Sequence, residues 1–311
     1  SVSGYIWIGT DNGLYRYDGS EFTLFSLDGD EDATKYSINC IYLTSDEKLY
    51  VGTDNYGLYM YDNGTFQRVS EMYNLGVSTI NAMYEDDNKN LWIAASSGIF
   101  RLSSDGAEAL ADDVVSGLSV GNISGHGDYV YAIANNDILI TVDPERHVSI
   151  TNKSEYRVDD INSLYVDENG NRYYGSAGYS ILKIGTDGKN EIINTGNLHG
   201  INKIYSDGDN IWALADDGVG YITSKGNVTA IGGLSFNESM SDMIIDFEGN
   251  YWFTSYRKGI LQLERSKFQN VTMKYGIDSS IVNCVTSYNG NTFIGTDEGL
   301  YIVDSNGKLV M

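Results

Sequence analysis

This chain of 311 residues is poor in proline, cysteine, histidine and positive charge. It has one Pro, two Cys and three His, and 20 Lys and Arg stand against 43 Asp and Glu, for a net charge of −23. Two cysteines cannot build a disulfide framework, and a chain of this length needs none to bury a core. Cys40 and Cys284 sit in matching apolar runs, Ile38-Asn39-Cys40-Ile41 and Val282-Asn283-Cys284-Val285, and are expected to be buried free thiols. The shortage of base excludes a nucleic-acid binder, which needs a basic face to displace counterions. An anionic membrane surface would repel the chain for the same reason. The acidic excess reads first as a solvated, soluble surface. No apolar run approaches the ~18–20 residues of a spanning helix. The start, Ser1-Val2-Ser3-Gly4, has neither a basic n-region nor an apolar h-region, so no signal peptide is expected. Without an initiator Met it reads as a mature chain or an excised piece. With 35 Gly and 25 Tyr but no Gly-X-Y period, the composition is neither collagenous nor disordered.

What is present is periodicity. An aromatic strand recurs eight times, as Trp7-Ile8-Gly9-Thr10, Tyr50-Val51-Gly52-Thr53, Trp92-Ile93-Ala94-Ala95, Tyr131-Ala132-Ile133-Ala134, Tyr173-Tyr174-Gly175-Ser176, Trp212-Ala213-Leu214-Ala215, Trp252-Phe253-Thr254-Ser255 and Phe293-Ile294-Gly295-Thr296. The period is about 41 residues. Each unit runs apolar stretch, polar turn, aromatic strand, Gly turn, alternating strand, second Gly turn, last strand: four short strands with turn chemistry between them. That is the pattern of an all-β propeller with four-stranded antiparallel blades. A Gly or other small residue after the aromatic admits the close neighbours that converge near an axis, and the aromatic fills the wedge further out. Gly13, Gly98, Gly218 and Gly299 are expected at φ > 0. Seven inner strands are visible: Ile38–Leu43, Ile80–Glu85, Val120–Gly125, Ile161–Val166, Ile201–Ser206, Met240–Ile245 and Val282–Ser287. The first unit lacks one, and ring closure would let the segment near Cys284 complete the sheet begun by residues 5–26. Residues 1–311 are therefore expected to form a single propeller, with seven blades favoured and eight the alternative.

The phrase Tyr5-Ile6-Trp7-Ile8-Gly9-Thr10-Asp11-Asn12-Gly13-Leu14-Tyr15-Arg16-Tyr17-Asp18-Gly19 resembles the two-component regulator propeller repeat, as do residues 49–62 and 293–304. The pattern Ile-Asn-x-apolar-Tyr at residues 38–42, 80–84, 161–165 and 201–205 is similar to it too. The resemblance spans essentially the whole chain and is degraded where Ile133-Ala134 and Leu214-Ala215 replace Gly-Thr. It favours seven blades and implies an extracytoplasmic sensor of a bacterial hybrid histidine kinase or related receptor, a fragment of a longer protein. It further implies an oligosaccharide or other small extracellular ligand and a homodimer whose rearrangement carries the signal.

Catalytic chemistry is thin. His126, His147 and His199 belong to no zinc spacing and have no Cys nearby. Neither a Gly-x-Ser-x-Gly elbow nor a phosphate loop occurs. The expectation is a non-enzyme with no cofactor and no metal; Asp28-Gly29-Asp30-Glu31-Asp32 lacks calcium-loop spacing and reads as a solvated loop. Asp216-Asp217 and Asp297-Glu298 are turn neighbours whose side chains should diverge, so neither is an acid/base pair. A ligand is expected at the axial mouth, on the turns after the aromatic strands and the connections between blades. There Tyr256-Arg257-Lys258 replaces the usual acidic turn, Tyr179 lies in Ala177-Gly178-Tyr179-Ser180, and Tyr56 is an insertion. Aromatic faces stack on sugar rings, and Arg makes forked hydrogen bonds; the alternative is that Arg257 and Lys258 pair with acidic turns. His199, before an inner strand, is a further candidate; Tyr36, Tyr156, Arg157, Phe236 and Tyr275 are weaker ones. Two other functions stay open: a protein–protein scaffold without a small ligand, and a propeller lyase or glycosidase that would rely on His199.

Overall fold

In the computed structural model the described residues are 4–29, 31–62, 64–110, 114–223, 226–231, 238–263, 275–277 and 281–311, so Asp30 and Phe236 lie outside them. The chain divides into two units, Ser1–Leu263 and Glu264–Met311.

The first unit is a succession of seven antiparallel sheets. The first holds Ile6–Thr10, Gly13–Tyr17 and Phe22–Phe25; the second to sixth have four strands each; the seventh holds Met240–Ile245, Tyr251–Ser255 and Gly259–Leu263. Each sheet packs on the next, and the seventh returns to the first, where the Tyr17 and Trp252 rings lie 5.6 Å apart. This is a β-propeller. The second unit contains one sheet, Val282–Tyr288, Asn291–Thr296 and Leu300–Val303. The segment around Cys284 pairs with Asn291–Thr296, and the first sheet has three strands. Cys284 departs from expectation by being exposed. Its strand, Val282–Tyr288, is exposed along its whole length, so the apolar run around it is not covered as the run around Cys40 is. Both cysteines are free thiols.

The recurrent Ile-Asn motif has a specific structural task. Each inner strand carries a bulge at its second residue, between Ile38 and Cys40, Ile80 and Ala82, Ile161 and Ser163, Ile201 and Lys203. A bulge frees a residue from the ladder and re-aims it. Here a side chain at the bulge staples one sheet to the next, from the freed residue itself at Asn39, Asn81 and Asn202 and from the residue after it at Asn122 and Ser163. Asn39 Nδ2 donates to the Ile80 carbonyl at 3.1 Å, Asn81 Nδ2 to Val120 at 2.7 Å, and Asn122 Nδ2 to Asn162 at 3.0 Å. The series continues with Ser163 Oγ to Ile201 at 2.9 Å and Asn202 Nδ2 to Met240 at 3.2 Å. Buried carbonyls at the converging strand edges are thereby satisfied.

The polar turn before the aromatic strand is equally purposeful. Asp246 Oδ1 accepts the backbone N–H groups of Glu248 and Asn250 at 2.9 Å each, and Oδ2 accepts the Trp252 indole N–H at 2.8 Å. Asp207 does the same for Asp209, Asn210 and Trp212. Burial pushes both carboxyls up, but the donated hydrogen bonds outweigh it and hold both below the ordinary value. Asp18 is lowered to about 2, first by the backbone N–H of Glu21 and then by Ser20. A carboxyl whose folded pKa lies below its unfolded value, about 3.9 for Asp, stabilises the fold above that value and loses the contribution as pH falls through the folded one. Urea midpoints should therefore hold steady down to about pH 5 and fall between roughly pH 4 and pH 2. Asp246→Asn should flatten that fall; an unchanged acid slope would remove Asp246 from the account.

In an up-and-down sheet the turn between the second and third strands and the connection to the next sheet emerge at the same end. One face of the first unit is thus built from the turns at Asp11, Tyr56, Tyr179, Asp216 and Tyr256 and from the connections that include His199 and Ser239.

Candidate functional site

The turns of the fifth, sixth and seventh sheets converge on Asp216. Its Oδ1 accepts from Asn202 Nδ2 and Ser239 Oγ, both at 2.9 Å. Its Oδ2 lies 3.9 Å from His199 Nδ1. Asp217 turns the other way and accepts the His199 backbone N–H at 2.9 Å, so the two neighbouring carboxylates diverge as expected. The His199 ring meets Tyr179 edge to face at 4.9 Å. The Tyr256 backbone N–H donates to the Ser239 carbonyl at 3.1 Å, tying the third turn to the same connection. The result is a continuous strip, Tyr179–His199–Asp216–Ser239–Tyr256. Asn202 and Ser239 were missed by sequence reasoning, and Asp216 was weighed there only as an acid/base partner of Asp217; no signal in an ordinary Ala-Asp-Asp-Gly turn sets Asp216 apart from its counterparts.

Tyr179 and Tyr256 present 54% and 72% of their surface to solvent. The Tyr256 hydroxyl is pushed above its ordinary range, first by desolvation against the mouth and then by the carboxylates of Asp216 and Asp242; with the ring so exposed, solvent screens much of this. Below, at the inner strands, Lys203 Nζ pairs with Asp242 Oδ1 at 3.3 Å. The Asp242 charge raises the Lys203 pKa, against burial. Cys40 lies in the field of this pair, and burial pushes its thiol up to about 12, so at neutral pH it is a poor nucleophile.

The basic turn splits. Lys258 Nζ is taken by Glu238 at 3.2 Å, the structural pairing that stands as the alternative for both residues. Arg257 is exposed, and among the described residues no carboxylate lies within ion-pair distance of its guanidinium. Tyr56 does not join the strip: its ring packs on Tyr36 at 5.0 Å, and its carbonyl accepts from Arg68 Nε at 2.8 Å. Tyr36 is fully buried and donates its hydroxyl to Asp28 at 2.9 Å, as Tyr59 does at 3.0 Å. Asp28 is thus committed to the core, and Asp32 caps the short turn Ala33–Lys35. Tyr156 is a partly buried core residue beside Leu164 and Tyr174, and Arg157 holds a positive φ of 56°. Tyr275, in the second unit, donates to the Gly307 carbonyl at 3.0 Å. Asp143, Glu145 and His147 bring ligand atoms within 4.8 Å of one another in an exposed turn, where Asp143 already accepts from the His147 backbone and faces its Nδ1 at 3.0 Å.

Two recesses accompany this geometry. One of about 510 Å³ opens beside the strip and is lined by Lys153, Asp159, Asp160, Gly178, Tyr179 and His199. The other, about 540 Å³, lies between the outer strands of the fifth and sixth sheets around Tyr173, Lys183 and Tyr221; no candidate residue lines it.

Residues 74–97, which span the inner and aromatic strands of the third sheet, match the family model described as two component regulator propeller. The matched segment holds the Ile80-Asn81 staple and the aromatic strand Leu91–Ala95 that follows it. No curated protein matches the sequence. Among solved structures, a streptogramin B lyase is 17% identical over 85% of this chain and 91% of that one, with a TM-score of 0.66. Virginiamycin B lyase from Staphylococcus aureus is 15% identical over 84% and 91%, with a TM-score of 0.64. The extracellular domain assigned to a hybrid two component system of B. thetaiotaomicron is 18% identical over 99% of this chain and 43% of that one, at 0.46. At such identities the lyases share the fold alone. Among the described residues no helix is long and apolar enough to cross a membrane.

Proposed function

We propose that this chain is the ligand-sensing propeller of a bacterial two-component or related receptor, working outside the cytoplasm. It recognises an oligosaccharide at the axial mouth and signals by changing how two copies pair, a change read by a membrane-linked kinase. The observation that carries the reading is the pair of exposed rings, Tyr179 and Tyr256, fixed on one strip of the mouth of a regulator-type propeller. Exposed aromatic faces on rigid turns suit sugar rings, and Arg257 adds a forked donor with no carboxylate partner among the described residues. Calorimetry and thermal shift with a broad oligosaccharide panel test it. Tyr256→Ala should weaken the binding ligand about tenfold, near 1.4 kcal/mol. A panel that gives neither heat nor a thermal shift would remove the glycan from the proposal.

A second reading, a propeller lyase or glycosidase, draws on His199 standing 3.9 Å from Asp216 at the same mouth. His199→Ala would abolish turnover if that reading holds; unchanged turnover of any detected substrate would end it. A scaffold for basic protein partners draws only on the net charge.

A further inference from the structure

We infer that the inner edge of the first sheet is a docking site for an extended peptide strand reading Ile-Asn-x-apolar-Tyr, which adds antiparallel to Ile6–Thr10. This surface takes protein, and neither Tyr179 nor Tyr256 belongs to it. In the second sheet the aromatic strand Leu49–Thr53 pairs with Ile38–Leu43 on one side and with Leu58–Asp62 on the other. Ile6–Thr10 is its counterpart in the first sheet and pairs with Gly13–Tyr17; among the described residues its inner side pairs with no strand. Exposure follows from this. Gly9 is exposed, whereas its counterparts Gly52, Ala94, Ile133, Gly175 and Leu214 are all buried. A row of open backbone N–H and C=O groups is a template for strand addition.

The flanking sheets specify the incoming sequence. The carbonyls of Ile80, Val120, Asn162, Ile201 and Met240 each accept a staple from the preceding sheet. Among the described residues no side chain donates to the corresponding Ile38 carbonyl, and an Asn at the second position would do so. Tyr42, at the fifth position of its strand, accepts the backbone N–H of Glu85 in the next sheet at 3.0 Å. The residue equivalent to Glu85 in the second sheet is Leu43, which is 45% exposed; a Tyr at the incoming fifth position would meet its N–H. On the other flank Ser241 Oγ turns back onto Thr254 Oγ1 of its own sheet at 2.7 Å, and Ile244 stands 40% exposed. An incoming Ile covers the partly exposed Thr254 as Ile80 covers Gly52. The register is that of the second sheet, where Ile38, Cys40, Ile41 and Tyr42 stand opposite Thr53, Gly52, Val51 and Tyr50. Residues one, three, four and five of the new strand thus face Thr10, Gly9, Ile8 and Trp7. Specificity comes from side chains at fixed positions, and affinity from the backbone ladder.

A synthetic peptide copying residues 78–86, which carries Ile80-Asn81-Ala82-Met83-Tyr84, tests this on the whole 311-residue chain. Calorimetry should show saturable one-to-one binding. Peptide at about a hundredfold excess over its Kd should raise the melting temperature by roughly 5 °C. Amide exchange should slow in Ile6–Thr10 and in Ile38–Leu43. Asn81→Ala in the peptide should weaken binding about tenfold through loss of the staple, and a scrambled peptide should not bind. Equal binding of the scrambled peptide, or protection that falls on the outer strand Thr65–Arg68 instead, would overturn the inference. So would amides of Ile6–Thr10 already as slow as those of Leu49–Thr53 in the free chain, since the edge would then be covered from within. A chain that sediments as a dimer and ignores the peptide would give the edge to a second copy and overturn it too.

Discussion

Replacing Gly52 by valine should cost about 3 kcal/mol of unfolding free energy, the upper end of what overpacking a dense core brings. A Cβ at Gly52 would stand 2.5 Å from Cys40 Sγ and 2.7 Å from Ile80 Cγ2, with Ile80 Cβ at 2.9 Å. Ile80 is fully buried and β-branched, the first residue of the next sheet's inner strand, so it has no rotamer through which to withdraw. The same meeting recurs at Gly9, whose Cβ would lie 2.6 Å from Ile38 Cγ2, and at Gly175 against Ser163 and Ile201. For a unit of this size the loss corresponds to a drop of roughly 6–12 °C in the melting temperature. Gly52→Ala should fall between wild type and valine. A valine variant within about 0.5 kcal/mol of wild type, the range of ordinary surface substitutions, would show that the sheets do not converge as tightly as these distances require.

The second large effect belongs to Asp86. Only 7% exposed, it accepts the backbone N–H groups of Asn88 and Asn90 at 3.0 and 2.9 Å and the Asn90 side-chain amide at 2.8 Å. The Trp92 indole N–H completes the set at 2.8 Å. Trp92 is itself 5% exposed, so its N–H has no water to turn to. Asp86→Ala should therefore cost about 3 kcal/mol, the penalty for leaving buried donors unpaired. Trp92→Phe removes one of those donors. In the double variant the loss should be smaller than the sum of the singles by about 1 kcal/mol, because the two share one interaction. Strict additivity in denaturant titrations would mean that the indole bond contributes nothing.

Gly52 and Asp86 both occupy recurrent positions, and recurrence made their surroundings legible in the sequence. The six inner strands expected in the first unit appear with near-identical bounds, and the recurrent Asn, Gly and turn Asp each have a role that repeats from sheet to sheet. Alternation, turn chemistry and period are local or nearest-neighbour properties, and in a repeat architecture the nearest neighbour is about 41 residues away by rule. The bulge that aims Asn39 and Asn81 at the next sheet was not legible, because a bulge shifts register without altering the alternating pattern enough to mark it.

The site behaves differently. Sequence alone placed Tyr256, Arg257, Tyr179 and His199 on the loops of one face, since strand order settles which end a turn leaves from. It did not separate Tyr56, which turns inward onto Tyr36, from Tyr179, which stays exposed beside His199. Nor did it show that Glu238 takes Lys258 while Arg257 keeps its charge open. Asp216 was weighed only as a partner of Asp217 because its turn looks like the others; its distinction comes from Asn202, Ser239 and His199, each supplied by a different segment. Fold and repeat were thus determined by short-range pattern. The composition of the mouth was decided in tertiary structure, where loop conformation and cross-sheet hydrogen bonds choose which side chains meet.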